Sequence, residues 1–167
     1  INGLMQHKVL SIRKKVIELL INKLQQRDSY FQDCDETNFA NLLKPLSDIV
    51  ATILHKPETD AVSGESSPSA HNNDLVYLQQ TALIALKLLS KLFALKHIAE
   101  FKQLLATLTN ITKQRNQISK VVLATVILSM IEISSNLKAH SLAYLSKYMP
   151  HLIEVLQDQL EFVRNGQ

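Results

Sequence analysis

The sequence predicts an all-α protein, an α-solenoid of antiparallel helix pairs. Three observations predict it. Only three Gly and four Pro in 167 residues leave little turn material, while Leu, Ile, Ala, Lys and Gln are plentiful, a composition that favours long helices with short connections. Apolar residues recur at helical spacing along almost the whole chain. The apolar stripes themselves recur at a fixed interval.

The elements follow in order. Residues 1–7 read as the tail of an outer helix. Ile12, Val16, Leu20 and Leu24, with Ile17 and Leu19 beside them, make the stripe of an inner helix over 10–27. An outer helix over 37–55 starts at the Thr37/Asn38 cap region and carries Phe39, Leu42, Leu46, Ile49, Val50 and Ile53. Pro45 falls inside it and is expected to kink it or to mark its first turn. PETDAVSGESSPSAHNND, residues 57–74, has two prolines, a glycine and almost no large apolar side chain, so it reads as a flexible insertion. Then come an inner helix over 74–95, an outer helix over 97–114, an inner helix over 117–136 and an outer helix over 139–163 that contains Pro150.

The interval between stripes separates a solenoid from a bundle. Leu78, Ala82 and Leu86 repeat the pattern of Ile12, Val16 and Leu20, and Ile118, Val122 and Val126 repeat it again 40 residues later. The first two stripes stand 66 apart, which falls to about 45–48 once an insertion of roughly 18–20 residues is removed. Pro45 and Pro150 give the same period, of about 43, by their own spacing. This length is similar to that of HEAT repeats, helix pairs of about 40–47 residues. Leu4 and Met5 at one end, and Leu156, Leu160 and Phe162 at the other, are expected to be apolar surface unless more repeats stack there. Residues 1–167 therefore read as a single segment of a longer protein, a reading that the lack of an initiator Met and of a leader supports.

Composition excludes several function classes. The 46% hydrophobic, 20% charged chain is that of a globular protein, and a formal charge of +3 is too small to announce a nucleic-acid binder by itself. Cys34 stands alone and cannot form an internal disulfide, and its neighbours Asp33, Asp35 and Glu36 disfavour a reactive thiolate. The longest apolar run, Val121 to Ile133, is too short to span a bilayer and contains Glu132, so no membrane partner is expected. Six histidines are scattered without ligand spacing, and there is no glycine-rich phosphate loop and no nucleophile motif. The acidic cluster at 33–36 reads as a solvated turn feeding a helix cap. No catalytic, cofactor or metal site is expected, no small-molecule substrate, and no enzymatic activity.

Two features remain as functional candidates. Ser67 precedes Pro68 in an open, polar stretch that a proline-directed kinase could reach, and phosphate there would change the local charge by nearly two units. Arg13, Lys14 and Lys15 lie side by side at a helix start, where the macrodipole disfavours positive charge. At about 100° per residue, Val16, Ile17, Leu20 and Leu24 fall within roughly 60° of Arg13. Arg13 is therefore expected to be architectural, its stem packed and its head bonded to the preceding turn. Lys14 and Lys15 fall on the opposite side, beside Glu18, and with Lys8 are the candidate contacts for a protein partner or for RNA phosphates.

VLSIRKKVIELLINKL resembles the HEAT pattern in which a branched apolar residue and an Arg, here Ile12–Arg13, open the inner helix. It lacks the Asp usual in the preceding turn, where Lys8, Val9 and Leu10 stand. The longer stretch HKVLSIRKKVIELLINKLQQR, residues 7–27, is similar to a segment in the family of very large nucleolar HEAT-repeat subunits of the small-subunit processome. That resemblance implies a non-enzymatic scaffold in the nucleus and nucleolus. It implies support of pre-ribosomal RNA transcription and early small-subunit RNA processing, within a large ribonucleoprotein assembly and alongside pre-rRNA or snoRNA. The alternative on the same fold is a karyopherin-like transport or signalling scaffold. Receptors for basic cargo want acidic inner faces, and this sequence offers few such residues there.

Overall fold

In a computed structural model the chain is described at residues 2–26, 36–54 and 68–164, and its side chains at 3–26, 38–54 and 72–158. Among the described residues every regular element is helical. The α-helices are α1 (Asn2–Met5), α2 (Leu10–Gln25), α3 (Glu36–Ala51), α4 (Pro68–Phe93), α5 (Ile98–Lys113), α6 (Lys120–Leu137) and α7 (Leu142–Arg164). Short 3-10 turns follow α3 at Thr52–Leu54, precede α6 at Arg115–Gln117 and precede α7 at Lys138–Ser141. The chain forms two compact units, residues 1–92 and 93–167, where the sequence predicts one segment.

In the first unit α2 contributes Ile17, Leu20 and Leu24 to the core, α3 contributes Phe39, Leu46, Ile49 and Val50, and α4 contributes Leu78, Ala82 and Leu86. α2 has no acidic residue in its first turn and no side-chain cap at Val9. Its helicity is therefore held by burial, at about 1.5–3 kcal/mol for each large apolar side chain, against an unfavourable start. α1 packs on both α2 and α3. Met5 is consequently fully buried, while Leu4 is exposed. The expectation that Met5 is bare apolar surface is thus corrected: α1, short as it is, covers it with two helices.

In the second unit Phe101, Leu105 and Leu108 of α5 and Val126, Met130 and Ile133 of α6 are buried, α5 packs on α6, and α5 also packs on α7. Buried hydroxyls turn inward without cost because each has a partner. Thr109 donates to the Leu105 carbonyl, Ser129 to that of Thr125, and Tyr148 Oη donates to Ser134 Oγ at 2.6 Å, tying α7 to α6. Burial holds the Tyr148 hydroxyl above its ordinary pKa, with the Ser134 bond opposing.

Three helix starts differ by three residues or more from those the sequence predicts. α4 begins at Pro68, so the flexible insertion predicted at 57–74 gives up its last residues to a helix, and 57–67 lie outside the described residues. Proline is favoured at a first helical position, where its missing N–H is no loss. α6 begins at Lys120 because Ile118 is extended, at φ −113° and ψ 141°. α7 begins at Leu142 because Lys138 takes φ 53° and ψ −131°. That break divides the stretch Lys120–Asp158, which by length and composition alone is apolar enough to cross a membrane, into two helices. Pro45 lies in the interior of α3, so it does not mark a first turn.

The repeat is visible in side-chain chemistry as well as in spacing. Arg13 Nε donates to the Met5 carbonyl, at the end of α1, over 3.1 Å. Gln79 stands one stripe interval later, and its Nε2 donates to Thr52 Oγ1 at 3.2 Å, at the end of α3. Both inner helices thus use a long polar donor near the start of the stripe to hold the end of the preceding outer element.

Candidate partner interface on α2

The α2 start brings together the residues that the sequence singles out. Arg13 is half-buried, its head spent on Met5, and burial lowers its pKa from the ordinary value. No carboxylate takes the place of the missing Asp; a main-chain carbonyl does. His7 Nδ1 accepts the Val9 N–H at 3.0 Å, satisfying one amide just before the helix.

Lys14 is placed otherwise than the helix wheel suggests. Its Nζ lies 2.8 Å from Asp74 Oδ1 on α4 and 4.6 Å from the centre of the Tyr77 ring. Tyr77 Oη in turn donates to Glu18 Oε1 at 2.9 Å, and Lys15 Nζ donates to Glu18 Oε2 at 3.3 Å. The Tyr77 hydrogen bond, followed by that of Lys15, pulls the Glu18 carboxyl below its ordinary pKa, and the same bond to Glu18 raises that of Tyr77. Two lysines and two carboxylates therefore balance across the α2–α4 seam. Lys14 is the correction: a cation expected to face a partner is engaged by α4, because the start of that helix packs beside α2 and sets Asp74 and Tyr77 against it.

Lys15 keeps 73% of its side chain exposed despite its pairing with Glu18, and Lys8 is exposed in the turn before α2. These two are the cations presented outward at the helix start. Ser67 and Cys34 lie outside the described residues. The Asp74 and Tyr77 contributions are absent from the sequence reading. Both stand on the helix that the sequence predicts over 74–95, and no local signal shows that its start packs beside α2.

In the second unit a comparable device ties the α5–α6 turn to α7. Arg115 Nε lies 2.8 Å from Asp158 Oδ2 and its Nη1 lies 3.1 Å from Glu154 Oε2, and these bonds raise the Arg115 pKa. Among the described residues no group of three or more His, Cys, Asp or Glu is placed to hold a metal ion. What the surface offers is helix faces and balanced charge, suited to contact with other macromolecules.

Known proteins align with nearly the entire chain. Over 160 residues, 96% of its length, the chain is 39% identical to the HEAT repeat-containing protein 1 homolog of Drosophila melanogaster. Over 163 residues, 98% of its length, it is 30% identical to HEAT repeat-containing protein 1 of Homo sapiens. The chain belongs to the HEAT-repeat proteins of this type. Its fold class is accordingly the all-α HEAT-repeat solenoid class. The HEAT-repeat chain spans 7% of the length of each of these two relatives. No family model matches it, and no solved structure matches it significantly.

Proposed function

We propose that this HEAT-repeat segment is part of a non-enzymatic scaffold in ribosome biogenesis, supporting pre-rRNA transcription and early processing of small-subunit rRNA in the nucleolus. The observation that carries the reading is the opening stretch, residues 7–27, whose resemblance to the nucleolar HEAT-repeat subunits of the small-subunit processome stands within an alignment covering nearly the whole chain. The scaffold works by presenting helix faces to other protein subunits of a large ribonucleoprotein assembly. Pre-rRNA or snoRNA contributes phosphate contacts at Lys8 and Lys15, the outward cations of the α2 start. Lys14 has a smaller part, since it would have to leave Asp74 to meet a phosphate.

Crosslinking of the full-length protein in cells, read out for RNA and for protein together, tests this. Pre-ribosomal RNA and processome proteins are the expected harvest. Recovery of transport factors or membrane proteins alone would overturn the reading in favour of a karyopherin-like scaffold. At residue level, replacing Lys8 and Lys15 together by Gln in the full-length protein is expected to weaken RNA binding and to lower the salt slope by up to about 2. An unchanged slope removes both lysines as phosphate contacts.

A further inference from the structure

The second unit sets a group of basic side chains at one end. The turn before α5 reads LKH, with Lys96 and His97, and 42 residues later the turn before α7 reads LKAH, with Lys138 and His140. Lys96, Lys138 and His140 are exposed, and so is Lys147 on the second turn of α7.

The register of α5 on α7 puts the two turns together. Arg115, just beyond the end of α5, is bonded to Glu154 and Asp158, which stand 39 and 43 positions ahead of it. Because α7 ends at Arg164, soon after Asp158, α5 packs along it only by running back toward Leu142. The two helices are therefore parallel, and the same offset carried back brings Lys96 to the level of Lys138.

Acid is scarce at this end. No Asp or Glu stands between Asp74 and Glu100, or between Glu132 and Glu154, and Glu100 faces His97 at 3.7 Å. Among the described residues no carboxylate pairs with Lys96, Lys138 or Lys147, whereas Lys14, Lys15 and Arg115 each have one. The field here is positive.

Tyr144 adds a ring to it. The ring is half-buried, its centre lies 5.5 Å from Lys147 Nζ, and the two residues fall within about 60° of each other on α7. Ring and cation thus share one spot, which suits a base stacked on the ring and its phosphate on the ammonium. Tyr77 of the first unit is placed otherwise, with its hydroxyl on Glu18 and the cation over its ring tied to Asp74. Two carboxylates beside that ring repel phosphate. Duplex RNA keeps its bases inside the helix, so a ring of this kind meets an unpaired strand.

We propose that Lys96, Lys138, His140, Tyr144 and Lys147 form a binding surface for single-stranded RNA, the basic groups on phosphates and Tyr144 on a base. It is a second RNA surface of the scaffold, separate from Lys8 and Lys15, and it rests on the ribosome-biogenesis reading for the presence of RNA.

The test places a photo-crosslinking phenylalanine analogue at position 144 of the full-length protein in cells. RNA is the expected adduct; a protein adduct alone, or none, overturns the surface. Pre-ribosomal RNA recovered with the full-length protein but not at position 144 overturns the surface and leaves the scaffold reading in place. RNA at position 144 without any ribosomal sequence upholds the surface and removes the scaffold reading. A second measurement titrates the full-length protein with an unstructured oligouridine. Replacing Lys96, Lys138 and Lys147 together by Gln is expected to lower the salt slope by up to about 2. Tyr144→Leu is expected to weaken binding about five-fold or more, and Tyr144→Phe to retain it. An unchanged slope in the lysine variant, or equal losses in the two Tyr144 variants, overturns the proposal.

Discussion

α2 and α6 occupy equivalent places in the repeat, yet they finish their exposed sides in opposite ways. α2 sets Lys14 and Glu18 against Asp74 and Tyr77 of α4 and, with the outward Lys15, closes them into a balanced network. α6 turns Val121, Leu128 and Ile131 outward and leaves them bare. The buried sides are alike, with Val16 and Leu20 answering Val122 and Val126. A repeat therefore fixes which residues enter the core, while the exposed side is at liberty to be solvated or to await cover, and function is written on that side.

The largest expected effect comes from breaking the buried contact on which α6 and α7 meet. Tyr148 is 1% exposed and carries both a ring in the core and a hydroxyl on Ser134. Tyr148→Ala is expected to cost about 3–5 kcal/mol in urea unfolding. Tyr148→Phe, which removes only the hydroxyl bond, is expected to cost about 1 kcal/mol. Equal losses for the two variants would mean that the bond, not the ring, holds α7.

Next comes the start of α2. Arg13→Ala removes a half-buried stem and the donor to the Met5 carbonyl, at an expected cost of about 1–2 kcal/mol that is insensitive to salt. Arg115→Ala in the second unit is its counterpart on the surface, where the partners are the exposed Glu154 and Asp158. A smaller loss that fades in 1 M salt, where the screening length is about 3 Å, is expected there. If the two arginines respond alike to salt, the distinction between an arginine bonded to a carbonyl and one paired with exposed carboxylates fails.

The α6–α7 junction offers a gain instead of a loss. Lys138 holds φ 53° and ψ −131°, close to the first central position of a type II′ turn, where glycine is favoured. Lys138→Gly is expected to stabilise by about 1 kcal/mol, seen as a raised Tm. No change in Tm would show that the lysine side chain compensates for its backbone.

How much of this was legible in the sequence follows from the range of each interaction. The stripes were readable because burial repeats with the helix: Leu78, Ala82 and Leu86 are wholly buried, although Ile12 at the head of the first stripe is 36% exposed and Ile118 at the head of the third precedes α6. Arg13's direction was readable from helix geometry, and its partner was not, since Met5 lies on a helix of four residues that shows no period. Lys14 was misplaced for a related reason. Its partners stand 60 or more residues away on α4, and helix geometry on α2 alone does not show which helix packs beside it. The exposed side of α6 was half legible: Val121, Leu128 and Ile131 could be seen as apolar, but which of the apolar residues of α6 lie outside depends on where α5 packs.

The smallest expected effect, and the one that sharpens the view of α2, is electrostatic. Glu18 accepts from Tyr77 and Lys15, which holds its folded pKa below the unfolded one. A depressed carboxylate contributes stability above the unfolded pKa of about 4.5 and loses that contribution as pH falls through the folded value. Glu18→Gln is therefore expected to lower Tm slightly near neutral pH, and the gap between variant and parent should close as pH is taken down to about 3. High salt should narrow the same gap, because a third of the Glu18 side chain is open to solvent. A gap that stays constant with pH would mean that Glu18 serves as a neutral hydrogen-bond acceptor for Tyr77, and that the α2–α4 seam is held by Lys14 and Asp74 alone.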